Sequence, residues 1–362
     1  MAIMRVVSSP APISKRVRNQ RSWWGLGLGV LFLMLVHLGV GSSMWIPPLD
    51  VLRELISGQS LEPSVSNVIV WELRLPRALA CVLVGAILGM TGAAFQAVFR
   101  NPLAEPYVIG VSSGAAVGGV LAIVAGLSGL MAGLGGMLLS MAGGLVSLFL
   151  VLAWGRVRGV LVASRLLLAG VMLGLLLSSV MTVLLLASGA DSNRVLRWLL
   201  GAMTPIFWER IAILSIVGFG GAILLVRESR RLNALAMSED AATSLGLEPP
   251  QVMRRVLIIG TLLTATAVGA VGIIGFLGLV APHAARLVVG PDLRRAMPLS
   301  GILGAGLLLI ADLLAQRALP GTELPVGAVT ALLGAPILLG LLRKSGTGSS
   351  TSFDKVDRAD RR

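Results

Sequence analysis

Long apolar runs alternate with short polar intervals along most of the chain. A helix rises about 1.5 Å per residue, so a run of about 20 apolar residues crosses the hydrocarbon core of a bilayer. The stretch 106–155 has no charged residue, and as a single helix it would be about 75 Å long, more than twice that core. It is therefore predicted to form two spans joined by a glycine-rich hairpin at 126–136. The pattern predicts ten spans, at 22–49, 78–99, 108–125, 134–153, 166–188, 211–226, 254–272, 275–290, 298–316 and 326–342.

The polar interval 227–255 differs from an ordinary loop between two spans. It carries nine charged residues, and its middle, 232–247, has the apolar spacing of one or two short helices. Ser238 is a candidate N-cap, Gly246 a candidate end, and Pro249 and Pro250 should prevent continuation. A solvated connection is the ordinary interpretation of such a loop. A short helix with a small-residue face favours docking of a soluble partner, and that face comprises Ala234, Ala236, Ala241 and Ala242.

Composition identifies the protein class. The chain has 362 residues, of which 56% are hydrophobic and 13% charged, with a mean hydropathy of +0.90. A water-soluble domain could not bury so much apolar surface, which predicts an all-α polytopic membrane protein. The predicted division is a basic tail at 1–21, a ten-helix membrane domain at 22–344 and a polar tail at 345–362.

Charge predicts the orientation and argues against a nucleic-acid partner. If the N-terminus lies in the cytoplasm, 23 of the 30 basic residues fall in inside segments and 7 in outside segments. This bias predicts that both termini and 227–255 face the cytoplasm. The net charge of +13 comes mainly from arginines scattered at the ends of apolar runs, which is typical of membrane topology and not of a nucleic-acid surface.

No motif predicts a catalytic centre or a cofactor bound by this chain. The lysines Lys15, Lys344 and Lys355 lack the surroundings of a phosphate-binding loop, so any ATP that drives the protein binds to another chain. The single cysteine, Cys81, excludes an internal disulfide and a multi-cysteine metal cluster. We predict no metal site.

Three acidic or histidine residues lie within the predicted spans. Asp312 is either a proton or cation site, as in a secondary transporter, or a locally paired acid. His37 is interpreted as a packed or hydrogen-bonded histidine. His283 follows Pro282 at a helix start, and both a structural and a functional role are open for it.

Three arginines lie on the predicted outer side, against the positive-inside bias: Arg74, Arg77 and Arg317. Arg74 and Arg77 flank Leu75 and Pro76 at the mouth of the second span. They suit carboxylates on an external partner, because a guanidinium binds a carboxylate in a bidentate fork. Interaction with lipid headgroups is the alternative.

Six ordered motifs resemble the permease subunit of the bacterial ABC importers for iron-siderophores, haem and vitamin B12. The resemblance covers roughly 20–344 and departs only in the longer tails. The motifs are LRLPR (73–77), RNPLAEP (100–106) with GVSSGA (110–115), SRLLLAG (164–170), the interval 232–246, IGFLGLVAPHAAR (274–286) and ELPVGAVTALLGAP (323–336).

The resemblance implies ten helices with short cytoplasmic coupling helices, in a lipid-embedded homodimer whose axis is the substrate passage. It implies two ATPase subunits, which use ATP and Mg²⁺ and dock on the loop between the sixth and seventh spans. It implies an external substrate-binding protein docking on Arg74 and Arg77, with Arg317 less directly matched, and a cytoplasmic gate near Ala163 and Ser164. The implied coupling-loop residues are Asn233, Ala234, Leu235, Ser238, Glu239, Ala241, Ala242, Leu245 and Gly246.

The function expected from the resemblance is ATP-driven import of a metal chelate. An iron-siderophore is preferred on the breadth of the family, with haem and vitamin B12 open. The rival hypotheses are an ion-driven secondary transporter that uses Asp312 and, less favoured, a membrane scaffold.

Overall fold

The structure, a computed structural model, describes residues 21–41, 44–58, 64–127, 134–157, 160–201, 203, 206–319 and 321–346. The predicted tails, except residues 21, 345 and 346, and residues 128–133 of the predicted hairpin lie outside this part of the chain. The described chain is almost entirely helical, apart from an antiparallel pair of two-residue strands, β1 (Arg156–Val157) and β2 (Val160–Leu161). The helices are α1 (Arg21–Gly39), α2 (Pro48–Ser57), α3 (Val65–Val98), α4 (Val111–Val124), α5 (Gly135–Trp154), α6 (Ala163–Ala187), α7 (Ser192–Leu199), α8 (Trp208–Met237), α9 (Glu239–Ser244), α10 (Pro249–Val271), α11 (Leu277–Val289), α12 (Leu293–Arg317) and α13 (Val326–Gly346).

The helices confirm an all-α polytopic membrane protein. Six described helices are long and apolar enough to cross a membrane, namely α3, α5, α6, α8, α10 and α12. Shorter apolar helices lie within α1, α4, α11 and α13, at the positions of the other predicted spans. The number of ten spans stays a prediction.

Helix α3 begins earlier than the sequence predicted. The predicted span starts at residue 78, but the helix runs without a break from Val65, through a π-helical turn at Ile69–Arg74. Pro76 follows that turn directly. A proline lacks the N–H that closes a normal helical bond and its ring crowds the preceding turn, so a wider π turn accommodates it. Arg74 and Arg77 therefore lie within a helix and not at its mouth.

The predicted sixth span is also longer than expected. Helix α8 continues past residue 226 to Met237, so it extends out of the apolar run and into the polar interval. As expected, the short helix does not continue through Pro249 and Pro250: it ends at Ser244, and the two prolines form the first turn of α10. A proline is tolerated there because the first turn needs no N–H donors.

A seam of glycines packs α3 against α11 and α12. A Cβ added at Gly85 would overlap the carbonyl oxygen of Gly304, and one at Gly92 would overlap that of Gly278. Backbones can approach this closely only where side chains are absent, as is common between membrane helices. Helix α3 is consequently the most enclosed of the long helices, whereas α6 exposes most of its apolar surface.

We predict that Gly92→Ala destabilises the folded protein by about 2 kcal/mol, because the methyl group must displace the backbone of α11. Gly220→Ala is the matched control, since Gly220 is a helical glycine with open space around its Cβ position. Thermal unfolding of the detergent-solubilised protein should show a lower midpoint for Gly92→Ala only. Equal midpoints for the two variants would contradict the packing of the seam.

Candidate functional site

The α8–α10 connection is a compact helical loop. Ser238 caps α9, since its hydroxyl accepts a hydrogen bond from the Ala241 amide at 2.9 Å, as predicted. Gly246 follows α9 with a φ of +76°, a conformation that glycine adopts without strain. Two residues later Glu248 leads into α10. Helix α9 is thus joined to two membrane helices by only a few residues.

Part of the predicted coupling surface is turned inward. Ala234 and Ala242 are buried, so the expectation that the small-residue face is open to a partner is wrong for these two, and the coupling-loop residue Leu235 is buried as well. They hold the loop against the bundle instead. The Asn233 amide is also used internally, because its nitrogen donates to Asp292 at 2.8 Å and its oxygen accepts from the Leu293 amide at 2.9 Å. That contact fastens the end of α8 to the start of α12.

The outer face of the loop carries two exposed apolar side chains. Met237 is 78% exposed and Leu245 is 70% exposed. Leu245 was predicted as a coupling residue and Met237 was not. Met237 could have been found as a large apolar residue inside a polar interval. It was missed because the sequence predicted that the sixth span ends at residue 226. Glu239 and Ala241 are half-buried and Gly246 is exposed.

An ion pair connects this loop to the segment after α3. Arg100 donates from Nη2 to Glu239 Oε1 at 2.6 Å, across 139 positions of sequence. Arg100 has a φ of +48°, which is uncommon for a residue with a side chain. The turn that follows α3 is therefore strained at the residue that reaches α9.

The same turn leads to a buried acid. Glu105 Oε2 is enclosed and has no hydrogen-bond partner among the residues that the structure describes. Burial raises the pKa of Glu105 to about 7, and a hydrogen bond from the Phe276 backbone opposes that shift only in part. Phe276 precedes α11 with a φ of +68°. The 100–106 motif thus packs its acid against the interruption between α10 and α11.

The predicted gate residues lie at the start of α6. Ala163 is half-buried and Ser164 is exposed, directly after the β1–β2 hairpin. Their role as a gate stays a prediction.

At the opposite end of α3, Arg77 is the centre of a buried charge cluster. It binds Asp312 in a fork, with Nε donating to Oδ2 at 2.8 Å and Nη2 to Oδ1 at 2.9 Å. Its third nitrogen, Nη1, donates to Glu323 Oε2 at 2.9 Å. Asp312 is completely buried. Of the two interpretations of Asp312, the locally paired acid is the one observed.

Two further side chains complete the cluster around Asp312. His37 Nε2 lies 2.7 Å from Asp312 Oδ2, and the Gln316 amide donates to the same oxygen at 2.8 Å. His37 is therefore the hydrogen-bonded histidine that was predicted. Cys81 places its sulfur within 4.8 Å of the His37 and Asp312 ligand atoms, which is a spacing that could hold a metal. The Arg77 guanidinium already neutralises Asp312, so a second cation would meet repulsion there.

The predicted exposure of Arg74 and Arg77 is wrong. Both are more than 90% buried, and Arg74 donates to the carbonyl oxygens of Leu38 at 2.7 Å, Gly39 at 2.9 Å and Met44. Sequence reasoning missed the acids because Asp312 and Glu323 are far from these arginines along the chain. Arg317 is exposed, as predicted.

His283 lies in α11, where its ring is partly buried. It lies outside the α8–α10 loop and outside the Arg77 cluster, and the choice between a structural and a functional histidine stays open.

Comparisons with known proteins agree with this architecture. The model of the FecCD transport family matches residues 29–344. The chain is 38% identical over 346 residues to the uncharacterized ABC transporter permease protein YvrB of Bacillus subtilis (strain 168), covering 92% of this chain and 98% of that protein. It is 38% identical over 337 residues to the vitamin B12 import system permease protein BtuC of Escherichia coli O157:H7, covering 92% and 99%.

A solved structure gives the same result for the fold. A metal-chelate type ABC transporter in an inward-facing conformation superposes with a TM-score of 0.78 at 30% identity, covering 90% of this chain and 100% of that chain. The resemblance seen in the six motifs is confirmed. The chain belongs to the FecCD transport family, as a permease subunit of the importers for iron-siderophores, haem and vitamin B12.

Proposed function

We propose that the chain forms the membrane passage of a binding-protein-dependent ABC importer in the bacterial inner membrane. Two copies pair across the passage, two ATPase subunits bind on the cytoplasmic side, and a substrate-binding protein docks outside. Both termini face the cytoplasm. The substrate is a bulky metal chelate or corrinoid, and a ferric siderophore is the first candidate. ATP and Mg²⁺ are used by the partner subunits, and this chain supplies no catalytic group.

The observation that carries the proposal is the α8–α9–α10 loop. ATP binding can move a permease only through a contact whose free energy differs between two states. Helix α9 is fixed to α8 and α10 by short connections, and the end of α8 is fastened to the start of α12 through Asn233. A partner that binds the exposed side chains of Met237 and Leu245 would therefore move three membrane helices and not a loose segment.

The second support is the distance between the α8–α9–α10 loop and the Arg77 cluster. Asp292, beside the loop, and Asp312, beside Arg77, are 20 residues apart on α12, and so about 30 Å along the helix. That is the thickness of a bilayer core. The loop and the arginine cluster thus suit partners on opposite sides of the membrane. The docking role of Arg74, Arg77 and Arg317 belongs to this proposal, and Arg317 offers the most accessible charge.

We expect ATP-driven uptake in liposomes that contain the permease, its ATPase and its binding protein. Radiolabelled ferric siderophore, haem and cobalamin would be compared in parallel, after affinity measurement on the binding protein. Uptake should require hydrolysable ATP and should persist when ionophores collapse proton and sodium gradients. Gradient-driven uptake by the permease alone would instead support the ion-driven secondary transporter.

We expect Leu245→Glu to reduce recovery of the ATPase subunit with the purified permease by at least about tenfold, because it places a charge in a desolvated contact. Leu49→Glu is the control, since Leu49 is 72% exposed and lies in α2, at the other end of the bundle. Co-purification measures the effect, and membrane yield checks insertion. A bulky residue in place of Ala242 would be less informative, because Ala242 is buried. Normal ATPase recovery with Leu245→Glu would contradict this docking surface.

We expect Asp312→Asn to lower the free energy of unfolding by about 3 kcal/mol, because it leaves the buried Arg77 charge poorly compensated. The remaining folded protein should still import with ATP and without an ion gradient. Thermal unfolding in detergent measures the first effect, and Asp50→Asn, on the exposed surface of α2, is the control. A stable variant that had lost only ion-coupled uptake would restore the rival hypothesis.

A further inference from the structure

We propose that Glu323 occupies, in the free permease, the position on Arg77 that a carboxylate of an acidic docking protein takes in the complex. This inference rests on the proposed function, because it concerns the same outer docking site. Glu323 is then an internal substitute for the partner, and docking begins by displacing it.

The two carboxylates bound to Arg77 are held very differently. Asp312 has no exposure, receives two hydrogen bonds from the arginine, and is also contacted by His37 and Gln316. The side chain of Glu323 is 31% exposed and accepts one hydrogen bond, from Nη1. A buried, bidentate pair is costly to break, whereas a pair open to water contributes little. The Glu323 contact is therefore the one that can be exchanged.

Charge within the cluster favours the same exchange. Asp312 and Glu323 share one guanidinium, and two like charges on one partner repel each other. An incoming carboxylate is repelled while Glu323 stays in place and attracted once it leaves. Glu323 thus lowers the affinity for acidic partners, although it does not remove the site.

The backbone around Glu323 allows its side chain to leave without unfolding the loop. The Leu324 amide donates to the Ala315 carbonyl at 3.0 Å and the Val326 amide to the Gly201 carbonyl at 3.0 Å, which anchors the chain after Glu323. The residues before it, Gly321 and Thr322, are exposed. Rotation of the Glu323 side chain into water therefore breaks only its bond to Arg77 among the described contacts.

The surroundings fit an acidic protein surface as the occupant. Arg317 is exposed and lies close enough to Arg74 for their charges to repel each other. In the described part of the chain, Arg74 donates to carbonyl oxygens and to no carboxylate. Outside the Arg77 cluster these two positive charges therefore remain to attract carboxylates, and Nη1 of Arg77 adds a third subsite after Glu323 moves.

The first experiment measures docking by the substrate-binding protein that supports uptake with this permease. Its Kd for the permease–ATPase complex in nanodiscs would be compared for wild type, Glu323→Ala, Glu323→Gln and Asp50→Ala. We expect Glu323→Ala to tighten binding by about fivefold, consistent with the strength of one partly exposed charged contact. Asp50→Ala removes an exposed acid that does not touch Arg77 and should leave Kd unchanged. Unchanged or weaker binding by both Glu323 variants would overturn the inference.

The second experiment needs no partner. Phenylglyoxal modification of Arg77, quantified by mass spectrometry on the intact complex, should rise severalfold in Glu323→Ala and not in Asp50→Ala. Equal modification in wild type and Glu323→Ala would overturn the masking of Nη1. If the wild-type complex binds no binding protein, the proposed docking function fails. The modification result still decides whether Glu323 masks Arg77, so the two failures are distinguishable.

Discussion

A charge placed among membrane helices must have a partner, because hydrocarbon offers neither water nor counterions to replace one. The fork between Arg77 and Asp312 meets this requirement in the described structure, and in doing so it determines how three helices sit together. Arg77 belongs to α3, Asp312 to α12, and His37 brings α1 to the same carboxylate. Removing either charge would leave the other buried in a place where it cannot be solvated.

The glycine seam extends that connection through the thickness of the bundle. Below the ion pair, α3 approaches the backbone of α12 at Gly85 and Gly89, and then the backbone of α11 at Gly92. Interfaces of this kind shift as whole units, because any local displacement produces a clash. At its far end α3 leads into the strained turn at Arg100, which pairs with Glu239 on α9. The enclosed helix α3 thus connects the Arg77 cluster with the α8–α9–α10 loop.

In the α8–α9–α10 loop and in the Arg77 cluster, some contacts hold the bundle together and other groups face outward. The loop buries Ala234 and Ala242 against the bundle and leaves Met237 and Leu245 exposed. On the other side, the same guanidinium both stabilises the bundle through Asp312 and presents one donor toward Glu323. An arginine can combine these roles because its donors point in fixed, separate directions. A lysine at position 77 could not hold the buried fork while offering a third bond of defined direction.

Helix content, membrane insertion, the family and the existence of the α9 loop followed from the sequence alone. Each depends on local quantities: apolar run length, charge at the ends of runs, the Ser238 cap and ordered motifs. The start of α3 at Val65 and the extension of α8 to Met237 did not follow, because a π turn and tertiary packing override the local signals of Pro76 and of polar residues. The partners of Arg77 did not follow either. Asp312 lies 235 positions from Arg77 along the chain. Only the packing of α3 against α12 decides that Arg77, which the sequence analysis placed on the outer side, is buried in an ion pair.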